Sequence, residues 1–354
     1  MHADASALDV VIAWVDGSDP AWRRRRAAAH EGVPASSQTL HADVEGRYRD
    51  NGELRFLLLS LRRYLHGVRR TILVTDGQRP SCLWQFPEVE VVDHHEFIAP
   101  EFLPTFSSRA IEASLHRIAG LAEHFIYFND DLCLMRPASL DDFFTADGSV
   151  VHVTDMPIPN DSDARPTAEH QGAINARRFM QQHHGRHALD RLVAHAPRGV
   201  RRSLLQALER RHPSVFAGVR AERFRSLAGQ NPLVNLYPEW CLLQGRGAVR
   251  CGECSCLTSG DFERAPLATA ARVRGEIHGH QLSLCVNDTG DDRDVTAGMT
   301  AYARVMGRIF PSDASRSDST PPPPAPRAQP AHQAVGESHL LLAHRQTRVG
   351  KDPR

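Results

Sequence analysis

Short apolar runs, each followed closely by an aspartate, constrain the fold of this chain most strongly. Leu8–Val15 (LDVVIAWV) is a nearly continuous apolar run rather than an alternating one, which is typical of a strand buried on both faces of a parallel sheet. Four shorter runs follow it along the chain, at Thr71–Val74, Val89–Val92, Phe125–Phe128 and Val150–Val153.

Helical patterns separate these runs. Leu54, Leu57, Leu58 and Leu61 recur at helical spacing within a predicted helix at 51–65, with Asp50 placed as its N-cap and Glu53 closing a capping box. A second helix is predicted at 108–121. Strands alternating with helices predict an α/β, Rossmann-like fold with a mostly parallel central sheet.

The acidic residues at the run ends suggest a site. Asp16, Asp76, Asp93, Asp130 and Asp155 each follow a run within a few positions. Parallel strands bring their carboxyl ends to one edge, where ligands bind, so these side chains are expected to gather around a divalent cation and a diphosphate. The alternative for each aspartate is ordinary turn and cap chemistry.

The rest of the chain predicts one catalytic domain at 1–310, containing a helical, Arg-rich insertion at about 170–230. Residues 311–354 are rich in Pro, Ser and Ala and are expected to form a disordered tail. Lys+Arg and Asp+Glu both number 42, so there is no basic field to hold nucleic acid.

The sequence shows no signal peptide and no apolar run near the ~18 residues that span a bilayer. This predicts a cytoplasmic protein without a transmembrane segment, with any membrane association peripheral. Seven cysteines argue against a disulfide framework. Cys251, Cys254 and Cys256 are spaced for zinc together with Cys241 or Cys285, or are buried or incidental thiols.

Several segments resemble the Stealth family. The first block is DVVIAWVDGSDPAW (9–22), and the second comprises RYRDNGELRFLLLSLRRYLHGVRRTILVTDGQRP (47–80) and LPTFSSRAIEASLHRIAGLAEHFIYFNDDLCL (103–134). Fainter matches are HAPRGVRRSL (195–204) with ERFRS (222–226), and LCVNDTGDD (284–292). The resemblance implies transfer of a hexose-1-phosphate from a UDP-sugar to a saccharide acceptor, with a divalent metal, in capsule or exopolysaccharide synthesis.

Metal ligands are expected after two of the apolar runs. Asn129, Asp130 and Asp131 end one run, and Asn287 with Asp288 ends another. Carboxylate and amide oxygens suit Mg²⁺ or Mn²⁺. Turn and cap chemistry is again the alternative, and the family resemblance favours the metal.

Donor-binding residues are expected in two loops. Trp14, Asp16, Gly17 and Asp19 form the first strand-end loop, where carboxylates can accept hydrogen bonds from uracil or ribose. Trp14 is equally consistent with a core position. The second loop, at a predicted helix start that attracts phosphate, contributes Asp50, Asn51 and Arg55.

The resemblance also selects catalytic residues. His195 is the candidate general base, with Asp131 as the alternative, and Arg109 and Arg225 are candidate phosphate ligands. Ser107 stands where family members often carry Asn. A metal-dependent glycosyltransferase would use similar residues but release UDP rather than UMP. A non-catalytic saccharide-binding protein is disfavoured because the Asn and Asp residues are intact, and an RNA-binding module because aromatics are few.

Overall fold

The first apolar run forms the middle strand of a five-stranded sheet in a computed structural model that describes residues 7–31, 44–159, 167–277, 279–288 and 297–311. The strands are, in spatial order, β3 (Val89–Asp93), β2 (Val68–Thr75), β1 (Leu8–Ala13), β4 (His124–Asn129) and β8 (Arg198–Arg201). All neighbours pair in parallel except β8, which is antiparallel to β4. The predicted α/β class with a mostly parallel sheet is confirmed.

Strand β1 shows why the sequence folds this way. Val10 and Ile12 face one hydrophobic core and Val11 faces the other, and all three are fully buried. Burying such a side chain is worth ~1.5–3 kcal/mol, so a continuous apolar run is stable only between two covering layers.

The remaining strands of the described residues form two smaller sheets. One has the order β10 (Cys254–Thr258), β11 (Ser283–Asn287) and β5 (Leu132–Leu134), and the other β7 (Arg191–Val193), β6 (Ser149–Pro157) and β9 (Gly247–Cys251). The expectation for Asp155 is wrong, because β6 belongs to this other sheet. The Asp155 carboxylate is exposed there and contacts Arg191 and Cys251 instead of joining the central edge.

Ten α-helices surround the sheets in the described part of the chain, with short 3-10 helices and one π-helical turn (Pro232–Leu236) between them. They are α1 (Pro20–His30), α2 (Glu53–Tyr64), α3 (Ser108–Glu112), α4 (Ala168–His184), α5 (Arg202–Arg211), α6 (Pro213–Ala221), α7 (Tyr237–Leu243), α8 (Ser259–Arg264), α9 (Pro266–Ile277) and α10 (Ala297–Ile309).

The start of α2 differs from its prediction. The N-cap is Gly52, with φ 84°, and not Asp50. Asp50 Oδ1 accepts a hydrogen bond from the Gly52 N–H, and Glu53 Oε2 accepts one from the Asn51 N–H. Glycine adopts this left-handed backbone at little cost, so the polar loop turns sharply into the helix.

Two other helical predictions change in extent. The helix predicted at 108–121 ends at Glu112 and is followed by a 3-10 turn at Leu115–Arg117. The segment 170–230 is largely helical, but it also contributes β7 and β8, so part of it belongs to the sheets.

No described helix has both the length and the apolar character needed to cross a membrane. The described residues lie within one compact unit, Met1–Arg316. The tail prediction for 311–354 falls, beyond Pro311, outside the described residues, and the domain boundary at 310 stays a prediction.

Candidate active site

Two adjoining cavities lie at the carboxyl ends of β1 and β4. The first, here called the aromatic pocket, has a volume of about 110 Å³ and is lined by Trp14, Trp22, Tyr48, Phe106 and Tyr127, together with polar groups that include Asp76 and Asp130. The second, the polar cleft, is larger, with a volume of about 380 Å³. Its lining includes Arg109, Glu112, His195, Arg198, Asn235, Cys256 and Asn287.

Four residues line both cavities and form a shared wall: Arg47, Ser108, Asn129 and Arg225. The aromatic rings that line the first cavity are suited to contact with a planar base. A ligand that extended from it into the polar cleft would pass two guanidinium groups at this wall.

The aspartates of the first strand-end loop make hydrogen bonds within the loop and to neighbouring residues. Trp14 is buried and lines the aromatic pocket. Asp16 Oδ1 accepts a hydrogen bond from the Ser18 N–H. Asp19 caps α1 through the Ala21 N–H, and the hydrogen bond from Gln78 to Asp19 lowers the pKa of that carboxyl. The structure places neither aspartate on the walls of the two cavities.

Gly17 joins the first block to the second. Its N–H donates to the Tyr48 carbonyl oxygen, with 2.5 Å between the heavy atoms. A Cβ on residue 17 would lie 2.5 Å from that same oxygen and 2.7 Å from Tyr48 Cβ. Only glycine permits this approach, so the backbone, rather than a donor contact, explains this residue.

The predicted metal ligands lie in a crowded acidic region. Burial raises the pKa of Asp130 well above its ordinary value, and the nearby charges of Asp131, Glu53 and Asp50 raise it further. Burial also raises the pKa of Glu53 to about 7 and, in the same direction, that of Asp50. Carboxyl groups this close repel one another when ionised, and a divalent cation would relieve that repulsion.

Two side-chain oxygens fit a cation directly. Asn129 Oδ1 and Asp131 Oδ1 are buried and have no hydrogen-bond partner among the described residues. An unpaired buried oxygen costs ~1–3 kcal/mol, unless it binds an ion or a substrate. The chemistry of this donor set fits Mg²⁺ or Mn²⁺.

The two residues of the second predicted ligand pair, Asn287 and Asp288, lie in different surroundings. Asn287, at the end of β11, lines the polar cleft. Asp288 is buried away from it and accepts hydrogen bonds from Arg49, Asn51 Nδ2 and Ser259 Oγ. The geometry therefore gives Asp288 a bracing position rather than a place among the ligands.

The structure separates the two remaining donor candidates of the second loop. Asn51 lies beside Glu53 and Asp288, and its Oδ1 atom is buried and has no hydrogen-bond partner in the part of the chain that the structure describes. Arg55 donates a hydrogen bond to Gln85 Oε1 and lines neither cavity.

Three arginines converge near the shared wall. Arg109 donates to the carbonyls of Ser226 and Gly229, and Arg225 donates to Ser108 Oγ at 2.7 Å. Burial lowers the pKa of Arg47 to about 9 and that of Arg109 to about 10, and the charge of Arg225 contributes to both shifts. Guanidinium groups that repel one another in this way favour binding of an anion such as phosphate.

Sequence reasoning missed Arg47, although it begins the second conserved block. Its neighbours Arg49 and Asp50 carry the same polar character, so nothing local distinguishes it. Only the fold, which carries Arg47 to the shared wall, reveals its position.

His195 lies between β7 and β8 and lines the polar cleft. Its Nε2 is 3.8 Å from Asp131 Oδ1, and its Nδ1 is 3.4 Å from Cys285 Sγ. Burial alone would lower the pKa of His195, but the Asp131 carboxylate and Cys256 outweigh it and raise that pKa. The two candidate bases, His195 and Asp131, are thus neighbours.

Comparison with known proteins matches these segments to a family. Residues 7–33 match Stealth protein conserved region 1, and residues 47–152 match conserved region 2. The chain therefore belongs to the Stealth family. These two regions supply Trp14, Arg47, Ser108 and Asn129, which surround the aromatic pocket.

Relatives cover most of the chain. An exopolysaccharide phosphotransferase of Streptomyces coelicolor is 37% identical over 313 residues, which is 86% of this chain and 51% of the relative. The receptor polysaccharide phosphotransferase WefC of Streptococcus gordonii is 28% identical, over 87% of this chain and 98% of its own length. The chain spans about half the length of the Streptomyces coelicolor relative.

Solved structures are similar only distantly. A galactosyltransferase, LgtC, in complex with donor and acceptor sugar analogues, aligns with a TM-score of 0.37 and 9% identity, over 85% of this chain and 95% of its own. The bifunctional glycosyltransferase WbbM aligns with a TM-score of 0.43 and 11% identity, over 88% of this chain and 51% of its own. The fold assignment depends on the order and direction of the strands themselves.

Proposed function

We propose that this chain transfers a hexose-1-phosphate from a UDP-sugar to a sugar hydroxyl, with release of UMP, in exopolysaccharide synthesis. The observation that supports the proposal most is the shared wall, in which Arg47, Ser108, Asn129 and Arg225 separate a pocket lined by aromatic rings from a polar cleft. The names of the relatives, which are polysaccharide phosphotransferases, support the same reaction class.

The donor would lie across the wall. Its uracil and ribose would occupy the aromatic pocket, where ring faces provide contact area at little entropic cost. Its diphosphate would lie between Arg47 and Arg225, which neutralise the phosphoryl oxygens. The hexose would then extend into the polar cleft, towards His195.

We infer that Asn129, Asp131 and Asn287 hold the divalent metal, with Asp130 contributing negative charge. The first and last of these line the polar cleft, and Asp131 immediately follows Asp130 at the end of β4. When bound, Mg²⁺ or Mn²⁺ would stabilise the negative charge that develops on the phosphoryl group. Asp288, which is paired with Arg49, fixes the end of β11 next to Asn287.

The acceptor hydroxyl would enter the polar cleft and give its proton to His195. Its oxygen forms a bond to the phosphorus that carries the sugar, and the bond from that phosphorus to the bridging oxygen breaks, so that UMP leaves. Asp131 orients the imidazole and stabilises its protonated form. Phosphoryl transfer of this kind depends on position and charge more than on covalent chemistry.

Donor binding tests the site assignment without requiring an acceptor. Calorimetric titration with a panel of UDP-sugars in Mg²⁺ should show binding to the wild type. Replacing Asp131 with Ala should abolish the metal-dependent part of that binding, and Arg225→Met should weaken it. Unchanged binding in both variants would remove the shared wall from the donor site.

A further inference from the structure

A cluster of three metal-binding side chains lies beside the proposed base. The ligand atoms of His195, Cys256 and Cys285 are all within 4.8 Å of one another. His195 Nδ1 and Cys285 Sγ are separated by 3.4 Å. The proposed reaction uses neither thiol.

Regular structure holds this cluster in place. Cys256 and Cys285 are register partners on the parallel strands β10 and β11. Strand β5 pairs with β11 on its other side, and the Val286 N–H donates to the Asp131 carbonyl. Sites built on strands keep their geometry better than sites on loops, so the thiols are held side by side before any ligand arrives.

The spacing suits one class of cation. Zinc binds sulfur at ~2.3 Å and imidazole nitrogen at ~2.0 Å, so tetrahedral geometry separates its ligand atoms by about 3.5 Å. The observed distance of 3.4 Å between His195 Nδ1 and Cys285 Sγ fits this arrangement. Thiolate ligands select zinc over magnesium, which prefers oxygen.

The protonation of the thiols is also favourable. The hydrogen bond from Cys285, aided by His195, lowers the pKa of Cys256 to about 6. The thiolate is the form of cysteine that binds metal. Burial raises the pKa of Cys285, and a bound cation would displace the proton of that thiol into solvent.

We propose that His195 Nδ1, Cys256 Sγ and Cys285 Sγ form a zinc site whose fourth position opens onto the polar cleft, and that zinc bound there inhibits transfer. His195 and Cys256 both line the cleft. Asp131 Oδ1, 3.8 Å from Nε2, is placed to accept the N–H of a metal-bound imidazole.

The second part of this proposal, that zinc inhibits transfer, rests on the proposed function. With zinc on Nδ1, the other ring nitrogen must carry a proton, so His195 can no longer accept one from the acceptor hydroxyl. Zinc would thus inhibit the reaction that the metal held by Asn129 and Asn287 supports. The site also differs from the spacing-based expectation, because Cys251 is exposed and hydrogen-bonds to Asp155.

Cobalt binding tests the site independently of activity. The full chain, reduced with a phosphine, is titrated with Co²⁺, and thiolate-to-cobalt charge transfer is followed by absorbance. The band should appear in the wild type and in the matched control Cys251→Ser, and be lost in Cys256→Ser and Cys285→Ser. Its absence from the wild type, or its survival in both cluster variants, overturns the site.

Further measurements address folding and inhibition. Circular dichroism verifies that the variants fold. If the buried Cys285→Ser variant does not fold, Cys256→Ser alone tests the site, because Cys256 is exposed. Asp131→Asn should weaken Co²⁺ binding about 10–100-fold, and an unchanged affinity would exclude its orienting role. Zn²⁺ added over excess Mg²⁺ should inhibit UMP release by the wild type but not by Cys256→Ser. If zinc binds the cluster without inhibiting transfer, the proposed inhibition is wrong and the proposed zinc site stands.

Discussion

Arg49 and Asp288 form a buried ion pair, with 2.5 Å between Arg49 Nη1 and Asp288 Oδ2. The two residues are 239 positions apart in the chain, and their side chains are only 10% and 2% exposed. This pair fastens the loop before α2 to the end of β11, where Asn287 faces the polar cleft.

Removing one charge of this pair should be costly. Asp288→Asn removes one charge of this buried pair, and we expect a loss of about 3–5 kcal/mol in the free energy of unfolding. Urea denaturation followed by circular dichroism measures it. Donor binding should weaken as well, because the end of β11 at Asn287 loses this contact with Arg49. A variant as stable as the wild type would show that the pair does not hold the site together.

The close approach of Gly17 to Tyr48 predicts a second stability effect. Gly17→Ala places a methyl group 2.5 Å from the Tyr48 carbonyl oxygen, and the strain should destabilise the fold by ~1–3 kcal/mol. The matched control is Gly218→Ala in α6, where an added Cβ meets nothing within 4 Å. That variant should be stabilised by ~0.5–1 kcal/mol, because alanine favours helix. Equal effects at both glycines would contradict this account.

The pH dependence of stability should reflect Glu209. Its carboxylate accepts hydrogen bonds from His116, Arg117 and Arg220, which hold its pKa far below the ordinary value despite the opposing effect of burial. A carboxyl with a depressed folded pKa stabilises the protein above its unfolded pKa of ~4.3, and this contribution is lost as the pH falls further.

Glu209→Gln should therefore be less stable at neutral pH, by about 3–5 kcal/mol, since Arg220 is left buried without its counter-charge. The difference from the wild type should shrink as the pH falls below ~4. Denaturation midpoints at a series of pH values measure this convergence. A constant gap between the two proteins would exclude Glu209 as the titrating group.

The helices and strands could largely be predicted from the local sequence pattern, because a strand buried on both faces is mostly apolar. Strand β8 (RGVR) did not, since its pairing with β4 is a long-range property of two short segments. Asp155 was misplaced for the same reason: nothing local shows which sheet a strand will join.

The site was predictable where the chain brings residues together locally, as in Asn129, Asp130 and Asp131. The neighbours of His195 were not, because Cys285 is 90 positions away and Asp131 follows a different strand. Arg47 and Cys256 likewise reach the cavities only through the fold. Spacing grouped Cys256 with Cys251 and Cys254, and with Cys241 or Cys285 as a fourth thiol, whereas the sheet pairs Cys256 with Cys285.

The end of the described fold predicts the effect of truncation. Phe310 is buried against Tyr64, and the composition beyond it offers little to bury. A chain ending at Pro311 should keep the stability and activity of the full chain. Thermal denaturation and transfer assays on both forms measure this, and a large loss would give the tail an active role.

The catalytic assignment predicts different effects for its two acid–base residues. His195→Ala should lower turnover by about 10²–10⁴-fold while donor affinity changes little, because general-base catalysis contributes on that scale. Asp131→Ala should abolish both. Kinetics combined with donor titration separates the two, and a His195 variant with full turnover would assign the base elsewhere.

The identity of the nucleotide product tests the central claim most directly. The chain is incubated with UDP-sugars, a saccharide acceptor and Mg²⁺ or Mn²⁺, and the nucleotides are separated by chromatography. Transfer of a hexose-1-phosphate predicts UMP in step with acceptor consumption, and its loss in Asp131→Ala. Accumulation of UDP in step with the acceptor would instead show glycosyl transfer and contradict the account.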